Sequence, residues 1–164
     1  MASIERVHQE FGNAAEAAQL LETHLGNMMI DHQVHVENLV NVKNPARAKE
    51  LIEEVNKHTL GQLLRKLQKT GPTFDLLKEQ LEKALDERNR LSHHFFRYHN
   101  LRRGSDEGRD IMLKDLIAIH VCLLEAYKAA MLLDGIDLDA IMKNGLVTPI
   151  VHPAQVDPKR RLPI

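Results

Sequence analysis

Apolar positions early in the chain fall at Ile4, Val7, Phe11, Ala14, Ala18, Leu21, Leu25 and Met28, and the same steps of three and four continue through His32, His35 and Leu39. Such steps keep one face of an α-helix pointing the same way, so the spacing predicts a single packed seam. A helix over this span would be about 55 Å long, whereas a domain of this size has a radius of gyration of about 15 Å. The helix is therefore expected to kink, at Gly12-Asn13 or Gly26-Asn27, or to project and be covered by a partner chain.

Helical spacing persists to about residue 134, and strand alternation is nearly missing. "NPARAKELIEEVNK" supplies Asn44 as a cap and Pro45 at the first helical position, which predicts a second helix to about Lys57. Thr59 and Gln62 stand at capping-box spacing, so a short helix is expected from Leu60 to just before Gly71-Pro72. A third long helix is expected from Thr73 to about His99, with Phe74, Leu77, Leu81, Ala84, Arg88, Leu91 and Phe95 inward. "NLRRGSDEGRD" predicts a loop, "IMLKDLIAIHVCLLEAYKAAMLL" the fourth long helix, and Asp137 to Lys143 a short one. The reading is an all-α fold, an up-and-down bundle of four main helices with short extra helices. The bundle domain is placed at 1–145, and a Pro-rich tail at 146–164 is expected to be extended or disordered.

Composition fits one soluble globular domain: 164 residues, 43% hydrophobic and 27% charged. Lys and Arg number 22 against 23 for Asp and Glu, so any signal for nucleic acid has to be local. "MASIERVHQEF" lacks the basic and apolar regions of a signal peptide, and no apolar run is read as approaching the roughly 20 residues of a membrane span. The expectation is a cytoplasmic protein without a membrane partner. The one cysteine, Cys122, reads as a small buried hydrophobe rather than a nucleophile.

Local charge is concentrated in "ERNRLSHHFFRY" and just beyond it. From Arg88 to Arg103 the chain carries Arg88, Arg90, Arg97, Arg102 and Arg103 with His93, His94 and His99, and no acid. At about 100° per residue, Arg88, Asn89 and His93 share one arc beside the apolar stripe, and Arg90 and His94 point away from it. An Arg on a core seam requires a carboxylate partner, a bound phosphate or a subunit interface. Glu87 or an acid of the first helix could supply the carboxylate. Arg97, Arg102 and Arg103 could contact RNA, or could pair across the loop with Asp106, Glu107 and Asp110. Phe95, Phe96 and Tyr98 could stack on bases, although this spacing equally suits core residues. A competing metal reading rests on "DHQVHVE": Asp31, His32 and His35 stand at helical spacing, and both His lie on the seam. His58 and His120 are isolated in the sequence, and His8, His24 and His152 read as surface residues. No glycine-rich phosphate loop, serine elbow, Cys-x-x-Cys pair or dinucleotide fingerprint is present.

The segment "RNRLSH" resembles the R-N-x-L-x-H signature of the HEPN superfamily of small helical proteins, with Arg88, Asn89, Leu91 and His93 on the pattern. "TLGQLLRKL" is similar to a segment of some HEPN-like proteins, and the likeness in architecture spans about residues 1 to 134. Toxins of that superfamily often continue the motif as H-x-Y; here Phe95 takes the Tyr position, and Tyr98 follows a turn later. The resemblance implies a HEPN-like, metal-independent endoribonuclease or toxin-like RNA-cleaving protein without a cofactor. Arg88, Asn89 and His93 would be the catalytic set, in a composite cleft of a homodimer, with RNA as substrate and an antitoxin protein as a further partner. The alternative it implies is a non-catalytic dimerisation or regulatory module. A metal-binding helical bundle using Asp31, His32 and His35 is the third reading.

The long first seam and the inward Arg88 both call for surface beyond one bundle. An obligate interface commonly buries more than about 2,000 Å², so sedimentation at micromolar concentration should give a dimer. A monomer there would remove the composite cleft.

Overall fold

Seven α-helices and two 3₁₀ turns, with no strand among the described residues, make up the computed structural model, which describes residues 1–42, 44–70 and 72–143. The fold is all-α, as expected. The tail at 146–164 lies outside the described residues.

Helix α1 (Ile4–Val36) opens at Ser3, whose Oγ accepts from the Arg6 N–H at 3.2 Å, and it runs without interruption through Gly12 and Gly26. Neither glycine pair breaks the helix, so its full length has to run past the other helices. Val7, Ala14, Ala18, Leu21 and Leu25 are buried as the seam requires, but the last buried position is Met29 and His35 is exposed. Beyond Met29 full burial ends: Ile30, Val34 and Leu39 still pack against the core but are only partly covered, and Val36, Val40 and Val42 are each more than half exposed.

Helix α6 (Asp106–Leu133) lies along α1 and runs parallel to it. The Ala2 N–H donates to Asp110 at 2.6 Å, Glu10 meets His120 at 2.7 Å, and His24 lies 3.2 Å from Asp134, so residue numbers rise together on the two helices. Ala14, Ala17 and Ala18 of α1 share one core cluster with Ala126 and Ala130 of α6, small residues that let two backbones approach closely. Met112, Leu116, Ile119 and Leu123 complete the inward face of α6. Fully burying such a side chain is worth about 1.5–3 kcal/mol.

Helix α4 (Lys78–His93) runs opposite to both. Arg88 reaches back to Glu22, Phe95 just beyond the helix meets Phe11, and Arg90 reaches Asp115. Helix α2 (Pro45–Val55) is capped by Asn44, which accepts from the Arg47 N–H at 3.1 Å, as its sequence predicts. It also runs against α1, since Arg47 holds Glu37 at 2.8 and 2.9 Å and Val55 lies by Gly26. The Thr59 N–H donates to Gln62 at 2.8 Å at the start of α3 (Leu60–Leu67), whose four leucines are all buried. The four longest helices thus do not simply alternate along the chain: α2 and α4 share a direction, and α3 with the 3₁₀ turn at Pro72–Leu77 returns the chain between them.

Three boundaries differ from the sequence expectation. The third long helix begins as the turn at Pro72–Leu77. It leaves helical geometry at His94 (φ −128°, ψ −17°) and resumes as α5 (Phe95–Tyr98). The Tyr98 N–H to His94 carbonyl bond of 2.8 Å crosses that break. The expected loop contains the second 3₁₀ turn, Asn100–Gly104, and α6 opens at Asp106 rather than Ile111 because Ser105 caps it, accepting from the Gly108 N–H at 3.0 Å. By length and composition α6 is apolar enough to cross a membrane, although Lys114, Asp115, Glu125 and Lys128 interrupt its apolar residues; a third of its most apolar stretch is buried in the bundle. The short α7 (Leu138–Lys143) lies where expected, with the Ala140 N–H donating to Asp137 at 3.0 Å.

Gly108 fixes how closely the basic turn sits on α6. A Cβ there would overlap the Arg102 carbonyl and lie 2.8 Å from Arg102 Cα, both backbone atoms that cannot swing away. Gly108→Ala should destabilise by about 1–3 kcal/mol through overpacking. Gly12→Ala, with nothing within 4 Å of the added carbon, should stabilise by about 0.5–1 kcal/mol. Urea denaturation of the two variants tests the contrast; equal effects would remove the close contact.

Candidate functional site

The motif residues fall on the second half of α4, whose inward positions Leu81, Ala84 and Leu91 are buried. Arg88 sits at the edge of that stripe with its side chain 23% exposed. Its Nη2 lies 3.4 Å from Glu22 of α1, and its Nη1 donates to Asn89 Oδ1 at 3.2 Å. The carboxylate that a seam arginine requires thus comes from the first helix, whereas Glu87 is taken by Arg90. His93, one turn beyond Asn89, is exposed; its ring has His94 beside it at 6.2 Å between centroids, and no hydrogen bond holds it among the described residues. Arg88 and Asn89 are hydrogen-bonded to each other, and His93 shares their arc with no hydrogen bond to either.

A second, more connected group lies toward α6. Arg90 donates to Glu87 at 2.6 and 2.9 Å and to Asp115 of α6 at 2.7 Å. The same Asp115 oxygen lies 2.8 Å from Nε2 of His99, a side chain only 2% exposed. Nδ1 of His99 lies 3.0 Å from an Nη of Arg102. Since Arg102 can only donate, Nδ1 accepts, and Nε2 carries the hydrogen given to Asp115. Five side chains, from α4, from the 3₁₀ turn and the His99 that precedes it, and from α6, are thereby linked end to end. Burial opposes ionisation of Asp115, but hydrogen bonds from Arg90 and His99 outweigh it and hold the carboxyl below its ordinary range.

This group escaped the sequence reading, which placed Arg90 off the seam without finding its partner. Two signals were available: His99 stands four residues after Phe95 in the apolar series, and Asp115 interrupts an otherwise apolar stretch. His120, isolated in sequence, reaches buried Glu10, which also accepts from Asn13 at 3.2 Å. His24 is not a surface residue: its side chain is 11% exposed and packs edge-on against Tyr127, and Nε2 sits near Asp134 outside hydrogen-bonding geometry. His152 lies outside the described residues.

The cross-loop ion pairs do not form. Asp106 pairs with Arg109, and Asp110 takes the Ala2 N–H. Among the described residues Arg97, Arg102 and Arg103 have no carboxylate within salt-bridge distance. Instead Arg102 lies over the Tyr98 ring at 5.4 Å and Arg103 over Phe96 at 5.6 Å. Phe95 is buried against Phe11, Phe96 is half-buried, and Tyr98 is 72% exposed.

Asp31, His32 and His35 do not converge: no group of three His, Cys, Asp or Glu side chains among the described residues could hold a metal ion, and His35 Nδ1 bonds the Asp31 carbonyl at 2.7 Å. Cys122 is half-buried, and burial pushes its thiol up, which suits the hydrophobe rather than the nucleophile. Comparison of the chain with protein-family models, curated proteins and solved structures finds no match.

Asp115 offers a direct test of the linked group. Its carboxyl is held below the unfolded value of about 3.9. The stability it contributes is therefore present above that value and lost as the pH falls through the lower folded one. Asp115→Asn should lose about 1–3 kcal/mol at neutral pH by urea denaturation. The gap from the parent should narrow below about pH 4; a gap independent of pH would exclude the charge as its source.

Proposed function

We propose that the chain is a HEPN-like, metal-independent endoribonuclease whose Arg88, Asn89 and His93 face becomes a closed cleft when two copies pair. On this reading the helical array is an up-and-down arrangement extended by the short α3, whose extra return between α2 and α4 leaves α6 parallel to α1. The observation that carries the proposal is an unengaged, exposed His93 on the same arc of α4 as a guanidinium whose carboxylate contact, to Glu22, is 3.4 Å long and whose other hydrogen bond goes to the neutral Asn89. A phosphate can displace so long a contact and take both arms of the guanidinium.

The chemistry follows from the residue types. Imidazole, with an ordinary pKa of about 6.5, takes the proton of a ribose 2′-hydroxyl near neutral pH. The 2′-oxygen then attacks the adjacent phosphorus as the bond to the 5′-oxygen breaks, and His93 of the second copy, which enters the step protonated, gives its proton to that leaving oxygen, so the two imidazoles exchange protonation states. The products are a 2′,3′-cyclic phosphate and a 5′-hydroxyl. Arg88 neutralises charge that grows on the non-bridging oxygens. Asn89, already bonded to Arg88, fixes the guanidinium plane. The carboxylate-free Arg97, Arg102 and Arg103 extend a cationic surface along which an RNA backbone is drawn.

One observation favours a second reading, a non-catalytic dimerisation or regulatory module. The Glu22–Arg88 pair joins α1 to α4 and would serve as a structural tie with no phosphate present.

Variants separate the two. His93→Ala should lower RNA cleavage by about 10² to 10⁴, the usual general-base contribution. Arg88→Ala should lower it at least comparably, and Arg88→Lys should restore little, because a point charge lacks the guanidinium fork. His35→Ala and chelator should leave cleavage unchanged. Protein that cleaves no RNA, with an Arg88→Ala variant that loses about 1–3 kcal/mol of stability, would favour the module instead.

A further inference from the structure

Between the second half of α4, the turn at Asn100–Gly104 and the start of α6 lies a cleft of about 820 Å³. Its size falls within the usual range for pockets that enclose a small organic ligand. His99 and Asp115 line it from the protein interior, Tyr98 and Arg102 form one wall, and Asn89 stands toward the motif face. None of these side chains except Asn89 has a part in the proposed cleavage step.

The wall at Arg102 is built in a particular way. One amino group is held by Nδ1 of His99, a buried ring itself fixed through Nε2 by Asp115. Asp115 is already committed to Arg90 and His99, so the guanidinium has an uncharged anchor in place of a carboxylate and keeps its full positive charge. Its remaining N–H groups are free to donate. The guanidinium lies over one face of the Tyr98 ring, 5.4 Å from its centroid, and because that tyrosine is 72% exposed the opposite face is left for a base, so an un-neutralised cation and a stacking surface share one ring. A phosphate with a nucleobase attached matches both. At the other side, Asn89 accepts from Arg88 through Oδ1 and keeps its amide N–H groups available for a base carbonyl.

We propose that this cleft is a nucleotide subsite for single-stranded RNA, with a phosphate on Arg102, the base stacked on Tyr98 and the base edge met by Asn89. The subsite rests on the ribonuclease reading for its substrate class, and Asn89 places it beside the scissile phosphate. Stacking on an exposed ring is tolerant of base identity, so the subsite grips an unpaired nucleotide without selecting one base strongly. A paired strand cannot enter, because its base faces are covered by stacking neighbours.

The test measures binding separately from cleavage, using the full chain and a fluorescently labelled 2′-O-methyl oligonucleotide that cannot be cut. Tyr98→Ala should weaken binding about tenfold, and Tyr98→Phe, which keeps the ring, should stay within about twofold of the parent. Arg102→Met should weaken binding about tenfold and lower the slope of log affinity against log salt by about one. Unchanged thermal melting would exclude unfolding as the cause for either variant. A free 5′-mononucleotide should compete weakly with the oligonucleotide in the parent protein and not in Tyr98→Ala. Parent-like oligonucleotide binding by both Tyr98→Ala and Arg102→Met would overturn the subsite even if the protein cleaves RNA. Mononucleotide binding without oligonucleotide binding would overturn the RNA strand as occupant. A protein that binds through Tyr98 and Arg102 but never cuts RNA would uphold the subsite while removing the catalytic reading.

Discussion

The parallel contact of α1 and α6 is the constraint around which the other helices are arranged. Alanines from both helices in the shared core bring the two backbones close, and polar ties at Ala2–Asp110 and Glu10–His120 set their register. Two long parallel helices leave a groove along each side of their contact, and α4 fills one of them from the opposite direction with Leu81, Ala84 and Leu91. Because α4 is so placed, its Arg88 reaches Glu22 on one flank and its Arg90 reaches Asp115 on the other. Both polar groups are consequences of where the apolar stripe of α4 had to go.

Much of the helical layout was legible from local chemistry. Asn44 with Pro45, Thr59 with Gln62, and the short segment after Asp137 all signal a helix start through hydrogen bonds made within a few residues, and each of these starts is found. The boundaries that moved are those set by distant packing. Ser105 opens α6 early within a stretch whose glycines and mixed charges predict a loop, because the turn before it is pressed against Gly108. The seam of α1 carries through in sequence to Leu39, but full burial ends at Met29 and the later positions are only partly covered. A three-four step pattern shows which face is apolar and says nothing of how far a neighbouring helix extends.

The candidate site was legible to a similar degree. Arg88, Asn89 and His93 are placed on one arc by helical periodicity alone, and that arc is found. The partner of Arg88 was narrowed to two sources, and Glu22 of the first helix is one of them. The chain through Arg90, Asp115, His99 and Arg102 was not found, because its members lie on three elements and its central carboxylate sits in a helix that reads as apolar. Loop pairing of Arg102 and Arg103 with nearby acids was a natural expectation from sequence distance. It fails because Asp106 and Asp110 are drawn to Arg109 and to the Ala2 N–H instead.

The contact between α1 and α6 joins segments more than a hundred residues apart, as the Ala2–Asp110 and Glu10–His120 pairs illustrate. During synthesis α1 leaves the ribosome long before its main partner exists, and with elongation at about 5–20 residues per second the wait lasts several seconds. Over that interval its row of Val7, Leu21 and Leu25 is uncovered by α6, and the central interface closes only when nearly the whole bundle has been made. Long-range closure of this kind slows folding relative to bundles of sequence neighbours. An interrupted or truncated chain lacking α6 would expose the most apolar face of α1, which makes such fragments natural targets for chaperones and proteases.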